Sequence, residues 1–435
     1  MNIEKIFIED KITGRKIIEL NSISIPKNSI IGIKSISFED VILFFSAIAG
    51  IMDLYPDFNF DIKIDDSYSE ILYFPEYPYT QISGLTSTIY GEVALPLVER
   101  CINETDIKRK VKKFLSLYEL EKFKHRNPYN LSTGELQKLI LCSQDICEPE
   151  IWLLIYPLSG LDKKNKAKIK QLLTNRKKNR IIFIFDQNIE DEEFVDLILN
   201  LKDGTLNNTK SHYKKEKNFE VLSDYLHIKK IRQNKNSELL IKLQNINFSY
   251  DERKLLLKNL SLDIKEGEVI LITGPNGCGK TTLAKIIAGI LKPKNGKFYK
   301  NEKTDVIYIP PDPTNLFLKT KVKDEIEFML DWRKEREKYN NYNLDNLLNI
   351  FYLKDDIDKY IYELSIEKKK YLSIVEAILL EKNLIILDEP TSFSTEKFRE
   401  VLISHIKDGL LSDKSLVIIS HDIHLIWELS KQGCK

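Results

Sequence analysis

Residues 267–281 read GEVILITGPNGCGKT, an apolar β-branched run that leads into a glycine-rich loop. The loop fits the pattern GxxxxGK[ST] in its required context, between a predicted strand at Val269–Thr273 and a predicted helix at Thr282–Ile290. Glycines let the backbone curl so that consecutive N–H groups point at phosphate oxygens, and the helix adds the positive end of its dipole. We therefore predict that Lys280 reaches the β- and γ-phosphates of a nucleotide and that the Thr281 hydroxyl ligates Mg²⁺.

Two later predicted strands in the carboxyl-terminal half of the chain are followed by polar side chains. The run LIILDEP at 384–390 ends in Asp388 and Glu389, and the strand Ser415–Ile419 leads to His421. Asp388 is predicted to face the metal ion, and Glu389 to polarise a water molecule for in-line attack on the γ-phosphate. A lone histidine is usually structural or merely exposed. The place of His421 after a strand that follows the acidic pair favours contact with the γ-phosphate and the attacking water.

Length and composition limit the class of protein. The 435 residues include 66 basic and 65 acidic side chains, with a net charge of +1, and 43% are hydrophobic. These values predict two or three globular domains and argue against a dedicated nucleic-acid binder, which would carry a cationic field. The longest apolar stretch, Val41–Met52, is shorter than the ~20 residues that span a bilayer, and the amino terminus does not read as a signal peptide. Scattered cysteines fit a reducing compartment, so we expect a cytosolic protein.

The two halves of the chain repeat one plan. The same spacing of 233 residues separates Ser132 from Ser365 and Ile155 from Asp388, which indicates a duplicated domain. Each half alternates short apolar runs with helical stretches, the pattern of an α/β domain with a buried, largely parallel sheet. We predict domains at 1–205 and 238–435 and a basic linker at 206–237, with a short helix around Phe219–Ile231. The basic linker reads as a solvated surface or, alternatively, as a site for an anionic lipid or nucleic acid.

These elements, in this order, resemble the nucleotide-binding domain of ATP-binding-cassette (ABC) proteins, and the resemblance covers nearly the whole chain, twice. It implies a P-loop NTPase fold with a helical signature subdomain in each half, with ATP and Mg²⁺ as ligands. Tyr250 matches the aromatic residue that stacks on adenine in this family. The residues implied to bind ATP in the second half are Tyr250, Gly274, Pro275, Asn276, Gly277, Cys278, Gly279, Lys280, Thr281 and Thr282, with Thr281 and Asp388 on the metal and with Glu389 and His421 as catalytic residues.

The two halves have lost different parts of this family's site. Aligning Gly50 with Gly289 puts Val41 opposite Lys280, and Ile155 and Tyr156 stand opposite the acidic pair. The first half keeps the family's signature and the SGLD turn, so Ser132, Gly134, Glu135 and Asp162 are implied to close over ATP that is bound by the other half. In the second half the signature reads LSIEK at 364–368 and the turn reads SFST at 392–395. The resemblance thus implies one complete composite site, whereas independent drift of the halves would be the alternative.

The segments at 77–99 and 312–330 resemble those of cobalt-type and energy-coupling-factor importer ATPases. This resemblance implies two partners, a transmembrane coupling protein and a substrate-capture membrane subunit, and a peripheral position on the inner face of the cell membrane. No nucleic acid and no direct membrane insertion are expected. The family's Q-loop glutamine is missing, with Glu76 and Pro310 nearest to it. Two rival interpretations stay open: a soluble ABC ATPase that acts on ribosomes or nucleic acid, and an ATP-gated protein clamp.

Overall fold

The computed structural model describes residues 1–431 except 36, 65–67, 69, 76–77, 187–188, 190–192, 209–225, 234–236, 251–254 and 333–340. The chain divides into two compact units, Met1–Lys217 and Asn218–Lys435. The division falls inside the segment predicted to be a linker. Glu76 and most of the predicted linker helix lie outside the described residues.

The first unit contains two sheets. Its strands are β1 (Asn2–Asp10), β2 (Lys16–Ser24), β3 (Ser29–Lys34), β4 (Phe58–Ile64), β5 (Ile71–Phe74), β6 (Ile151–Ile155), β7 (Ile181–Phe185), β8 (Leu197–Asn200) and β9 (Leu206–Asn208), and its helices are α1 (Phe38–Ala49), α2 (Ile89–Glu99), α3 (Glu104–Leu117), α4 (Thr133–Asp145) and α5 (Lys163–Arg176). The larger sheet has the order β5-β6-β7-β3-β8-β9 and is parallel up to β8. The smaller sheet, β2-β1-β4, is antiparallel.

The second unit repeats this arrangement. Its strands are β10 (His227–Arg232), β11 (Leu239–Phe248), β12 (Leu257–Lys265), β13 (Val269–Thr273), β14 (Asn295–Lys300), β15 (Val306–Ile309), β16 (Leu384–Asp388) and β17 (Ser415–Ile419), and its helices are α6 (Lys280–Ile287), α7 (Val322–Trp332), α8 (Asn341–Ile350), α9 (Ile366–Leu379), α10 (Glu396–Lys407) and α11 (Ile423–Ser430). The larger sheet has the order β10-β13-β17-β16-β15, and the smaller antiparallel sheet has the order β12-β11-β14.

Buried apolar strands form the centre of each unit. All five residues are buried in each of β6, β7, β13, β16 and β17, as expected for parallel strands covered on both faces. The predicted α/β class with mostly parallel sheets is therefore confirmed in both halves. Among the described residues, no helix is long and apolar enough to cross a membrane.

The edge strand β10 corrects one prediction. Residues 227–231, which the sequence predicted to end a short linker helix, form a strand that pairs antiparallel with β13. In the first unit the corresponding edge of β3 is covered by β8, which is parallel. Ile228 is half-buried and Ile231 is buried although they are three residues apart, and the pairing register with β13 shifts between Lys230 and Arg232.

Arg232 fixes β10 to the rest of the second unit. Its guanidinium donates to Gly267 O at 2.7 Å and to Lys414 O at 2.5 Å, and it also contacts Ser412 O. One hydrogen bond from a charged donor contributes about 1.5–3 kcal/mol. Arg232 is half-buried, so water replaces part of these bonds in the variant, and Arg232→Ala should lower the free energy of unfolding by roughly 2 kcal/mol.

The measurement is a thermal melt of the full chain, with Lys229→Ala as the matched control on the exposed side of the same strand. The control should stay within about 0.5 kcal/mol of the parent. Equal melting temperatures for Arg232→Ala and the parent would show that the Arg232 contacts do not stabilise the unit.

Candidate functional site

The predicted phosphate loop connects the carboxyl end of β13 to the start of α6. Gly274, Gly277 and Gly279 have φ angles of +143°, +79° and +102°, a region that residues with side chains rarely adopt. A Cβ atom on Gly279 would lie 2.8 Å from Leu257 Cδ2, so a larger residue does not fit there without a shift. The backbone thus has the curled path that a phosphate cradle requires.

Lys280 is the first residue of α6, and its side chain turns back over the loop. Its Nζ donates to Gly274 O at 2.9 Å and to Pro275 O at 3.1 Å. The side chain is buried, so these carbonyl oxygens compensate for the lost hydration of the ammonium group. Charged phosphate oxygens are stronger acceptors than carbonyls, so a nucleotide would take over this ammonium group. Burial also raises the pKa of the neighbouring Cys278 thiol.

Tyr250 lies beside the start of α6. Its hydroxyl oxygen is 3.1 Å from Thr282 Oγ1, and its ring meets Phe248 edge-on with the centroids 5.0 Å apart. The residue is 69% exposed, which leaves ring surface for a stacking partner. This geometry suits the predicted adenine contact.

The carboxylate of Asp388 is buried at the end of β16. Tyr308 donates its hydroxyl to Asp388 Oδ2 at 2.8 Å. Burial and the negative charge of Glu389 raise the pKa of Asp388 to about 6, while the Thr281 hydroxyl lowers that pKa. Thr281 and Asp388, the two predicted metal ligands, therefore lie near each other although they come from different elements.

His421 contacts Glu389 and Asn276 beyond the carboxyl ends of β16, β17 and β13. The backbone N–H of His421 donates to Glu389 Oε2 at 3.1 Å, and His421 Nε2 lies 3.3 Å from Glu389 Oε1. The same Nε2 is 2.9 Å from Asn276 Oδ1 in the phosphate loop. Both neighbours of Nε2 are acceptor oxygens, so we assign the proton to this nitrogen. The structure thus brings the loop, Glu389 and the histidine together; their roles toward ATP stay predictions.

The donor set fits Mg²⁺ bound together with a nucleotide. Among the described residues there is no group of three or more His, Cys, Asp or Glu side chains that could hold a metal ion. Mg²⁺ in nucleotide sites needs fewer protein ligands, since substrate phosphates and water complete its octahedron. A hydroxyl and one buried carboxylate, Thr281 and Asp388, are ligands of this kind, and a cation would offset the cost of ionising Asp388.

The first unit has a helix where the second has a loop. With Gly50 aligned to Gly289, positions 38–40 stand opposite the loop residues 277–279. Positions 38–40 are helical, because α1 starts at Phe38, about one turn earlier than α6 starts. This first turn of α1 carries two carboxylates and no glycine, so it would repel a triphosphate.

An aromatic cluster of Phe38, Tyr156 and Phe185 occupies the strand ends of the first unit. The ring centroid distances are 5.8 Å for Phe38–Tyr156, 5.2 Å for Tyr156–Phe185 and 6.2 Å for Phe38–Phe185. Tyr156 has φ +51° and donates its N–H to Phe185 O at 2.7 Å, while Glu389 has φ +49° and donates its N–H to Ile419 O at 2.8 Å. The same backbone turn therefore carries a packed ring in one unit and a carboxylate in the other.

The kept signature of the first unit begins α4. Ser132 and Glu135 form a capping box: Ser132 N–H donates to Glu135 Oε2 at 3.0 Å, and Glu135 N–H donates to Ser132 Oγ at 3.4 Å. Gly134 is buried and Ser132 is exposed. Asp162 caps α5 by accepting from Asn165 N–H at 2.8 Å. The four residues lie at two helix N-termini, where an anion is favoured, and their role toward ATP stays a prediction.

The altered signature of the second unit begins α9, and its acidic residue contacts the protein interior. Ser365 caps α9 through Lys368 N–H at 3.3 Å, as Ser132 caps α4. Glu367, however, is turned inward and accepts from Thr395 N–H at 2.6 Å. Burial raises the pKa of Glu367. The residue that replaces a signature glycine is thus half-buried and holds the start of α10.

Part of the chain matches the profile of a protein family, and most of the chain is similar to known bacterial proteins. The profile of the ABC transporter family matches residues 257–392. A Bacillus cereus protein named "Putative ABC transporter ATP-binding protein" is 27% identical over 410 residues, covering 81% of this chain and 72% of the relative. A Clostridium perfringens protein of the same description is 26% identical over 417 residues, covering 82% of this chain and 72% of the relative.

Solved structures match the fold along nearly the whole chain. An archaeal ribosome recycling factor, crystallised with a ribosomal stalk protein, has a TM-score of 0.59 at 19% identity, covering 95% of this chain and 84% of the factor. A structure titled RNase-L Inhibitor has a TM-score of 0.59 at 19% identity, covering 98% of this chain and 86% of that chain. At this level of identity the likeness concerns the fold alone.

Proposed function

We propose that this chain, an ABC ATPase of tandem-domain form, hydrolyses ATP at the phosphate loop of its second unit only and thereby powers a separate membrane component. The observation that supports the proposal most is that two backbone turns of the same geometry, one in each unit, carry different side chains. Glu389 contacts His421 in the second unit, whereas Tyr156 packs on Phe38 and Phe185 in the first.

The side chains of the second unit suit in-line hydrolysis. Lys280 and the curled loop bind the β- and γ-phosphates, and Tyr250 stacks on adenine. Glu389 accepts a proton from the attacking water as the water oxygen bonds to the γ-phosphorus. The bond between the γ-phosphorus and the β–γ bridging oxygen breaks, ADP leaves with that oxygen, and His421 hydrogen-bonds the γ-phosphate. Bound Mg²⁺, held by Thr281 and Asp388, would neutralise the charge that develops on the phosphates.

The signature of the first unit is proposed to complete this reaction. Ser132 and Gly134 stand at the N-terminus of α4, where backbone N–H groups and the helix dipole stabilise negative charge. In the second unit, Glu367 occupies the position of Gly134 and its carboxylate is committed to Thr395. Two membrane partners, a transmembrane coupling protein and a substrate-capture subunit, belong to the same proposal, in which the chain is a peripheral ATPase of an importer of energy-coupling-factor type.

Exposed leucines at equivalent positions support the membrane partner. Leu85 is 78% exposed and Leu318 is 67% exposed, and they are separated by the 233-residue repeat. Each leucine lies in a loop that is folded around a buried carboxylate, Glu92 in the first unit and Glu325 in the second. A loop that is hydrogen-bonded to a buried carboxylate and presents an exposed apolar side chain suits a docking surface for the coupling protein.

Hydrolysis should depend on one signature and not on the other. Ser132→Arg or Gly134→Asp puts a bulky or negative group at the N-terminus of α4, and the steady-state ATPase rate should fall about 100-fold or more, as when a transition-state donor is lost. ATP affinity should change much less, because the loop and Tyr250 are intact.

Ser365→Arg is the matched control, since it removes the equivalent helix cap in the second unit. Its ATPase rate should stay near that of the parent. Normal turnover in Gly134→Asp, or a large loss of turnover in Ser365→Arg, would contradict the proposed use of the first signature.

Membrane association should depend on Leu85 and Leu318. In the host cell, Leu85→Asp combined with Leu318→Asp should reduce the fraction of the chain that floats with membranes in a density gradient, because a charge cannot be buried unpaired at the docking surface. Leu54→Asp is the control, as Leu54 is 70% exposed but lies outside both loops. An unchanged membrane fraction in the double variant would refute this surface.

A further inference from the structure

Lys370 lies in α9, and its ammonium group is buried among backbone oxygens of the turn that follows β16. Nζ donates to Pro390 O at 3.1 Å and to Glu389 O at 3.4 Å, and it also donates to Ser392 O. The residue is only 2% exposed. A buried ammonium group needs such acceptors, because its hydration has been removed.

The first unit has the same contact with a neutral donor. Gln137 in α4 stands 233 positions before Lys370, and its Nε2 donates to Tyr156 O at 2.6 Å. Tyr156 O and Glu389 O are the equivalent carbonyls of the two units. In each unit, a side chain of the signature helix therefore donates a hydrogen bond to the turn that follows the central strand. The donor is a charged ammonium group in the second unit, which contains the acidic pair, and a neutral amide in the first.

The turn that Lys370 contacts has a strained start. Glu389 has φ +49°, the left-handed region that is unfavourable for residues with a Cβ. Ser392 closes the turn by donating its N–H and its hydroxyl to Glu389 O at 3.1 Å and 2.7 Å. Further along, α9 also holds Thr395 through Glu367. The helix thus contacts both ends of the segment 389–395.

We propose that Lys370 is a positioning residue for ATP hydrolysis: it holds the left-handed turn that aims the Glu389 carboxylate. The inference rests on the proposed function, in which Glu389 is the base. The proposal gives α9 a role in hydrolysis, although the signature sequence at its start, LSIEK at 364–368, is altered. The carboxylate contacts His421 at 3.1 Å and 3.3 Å, so a small shift of the turn would move the base away from the water that it activates.

The test is a double-mutant cycle in the full chain with steady-state ATPase rates. Lys370→Met should lower kcat on the order of 10- to 100-fold, as expected for a misplacement of about 1 Å, with ATP affinity within about twofold. Lys370→Gln, which copies Gln137, should recover part of the rate. In the Glu389→Gln background, Lys370→Met should cause no further loss, since a positioning residue acts only through the group that it positions.

Lys368→Met is the matched control, because it removes an ammonium group from the same helix that pairs with Asp356 instead. It should leave kcat unchanged. If Lys370→Met fails to fold, Lys370→Leu, which also removes the donor, takes its place, and a parental kcat in that variant overturns the inference. The inference is also overturned if Lys370→Met lowers kcat further in the Glu389→Gln background. It is likewise overturned if Lys370→Met has the parental kcat while Glu389→Gln has a reduced one. A normal rate in Glu389→Gln itself would instead refute the proposed base.

Discussion

The parallel register of β13, β17 and β16 is the constraint on which the site depends. Ile419 stands opposite Ile272 on one side and opposite Asp388 on the other. The residues that follow these three strands therefore emerge at one edge of the sheet, as ligand-binding groups do in open α/β sheets. The phosphate loop, the acidic pair and His421 meet there although they are far apart in sequence.

The backbone turn after the central strand is the same in both units, although the side chains that it carries differ. The turn after the central strand keeps its left-handed residue and its hydrogen bond to the neighbouring strand in both units. In the first unit the space is filled by three aromatic rings, whose packing replaces the polar network. A tie from the signature helix to the turn is also kept, with Gln137 in one unit and Lys370 in the other.

Much of the fold and of the site could be predicted from the sequence, because both depend on local patterns. The strand at 269–273 and the strand at 415–419 have the predicted limits, since apolar β-branched runs with clear boundaries specify buried strands. Tyr308 and Lys370 were missed, because their contacts with Asp388 and with the turn at 389–392 arise from tertiary register and not from spacing. The strand β10 was mistaken for a helix, since its pairing with β13 overrides a weak local preference.

The central claim is that only one of the two units binds ATP. It is tested most directly by calorimetric titration of the Glu389→Gln variant of this chain with MgATP, in which hydrolysis does not disturb the heats. The account predicts one tight site per chain, and no tight site when Lys280→Ala is added, because the ammonium group and its place in the cradle are both lost. Two equivalent tight sites per chain, or one that survives Lys280→Ala, would contradict it.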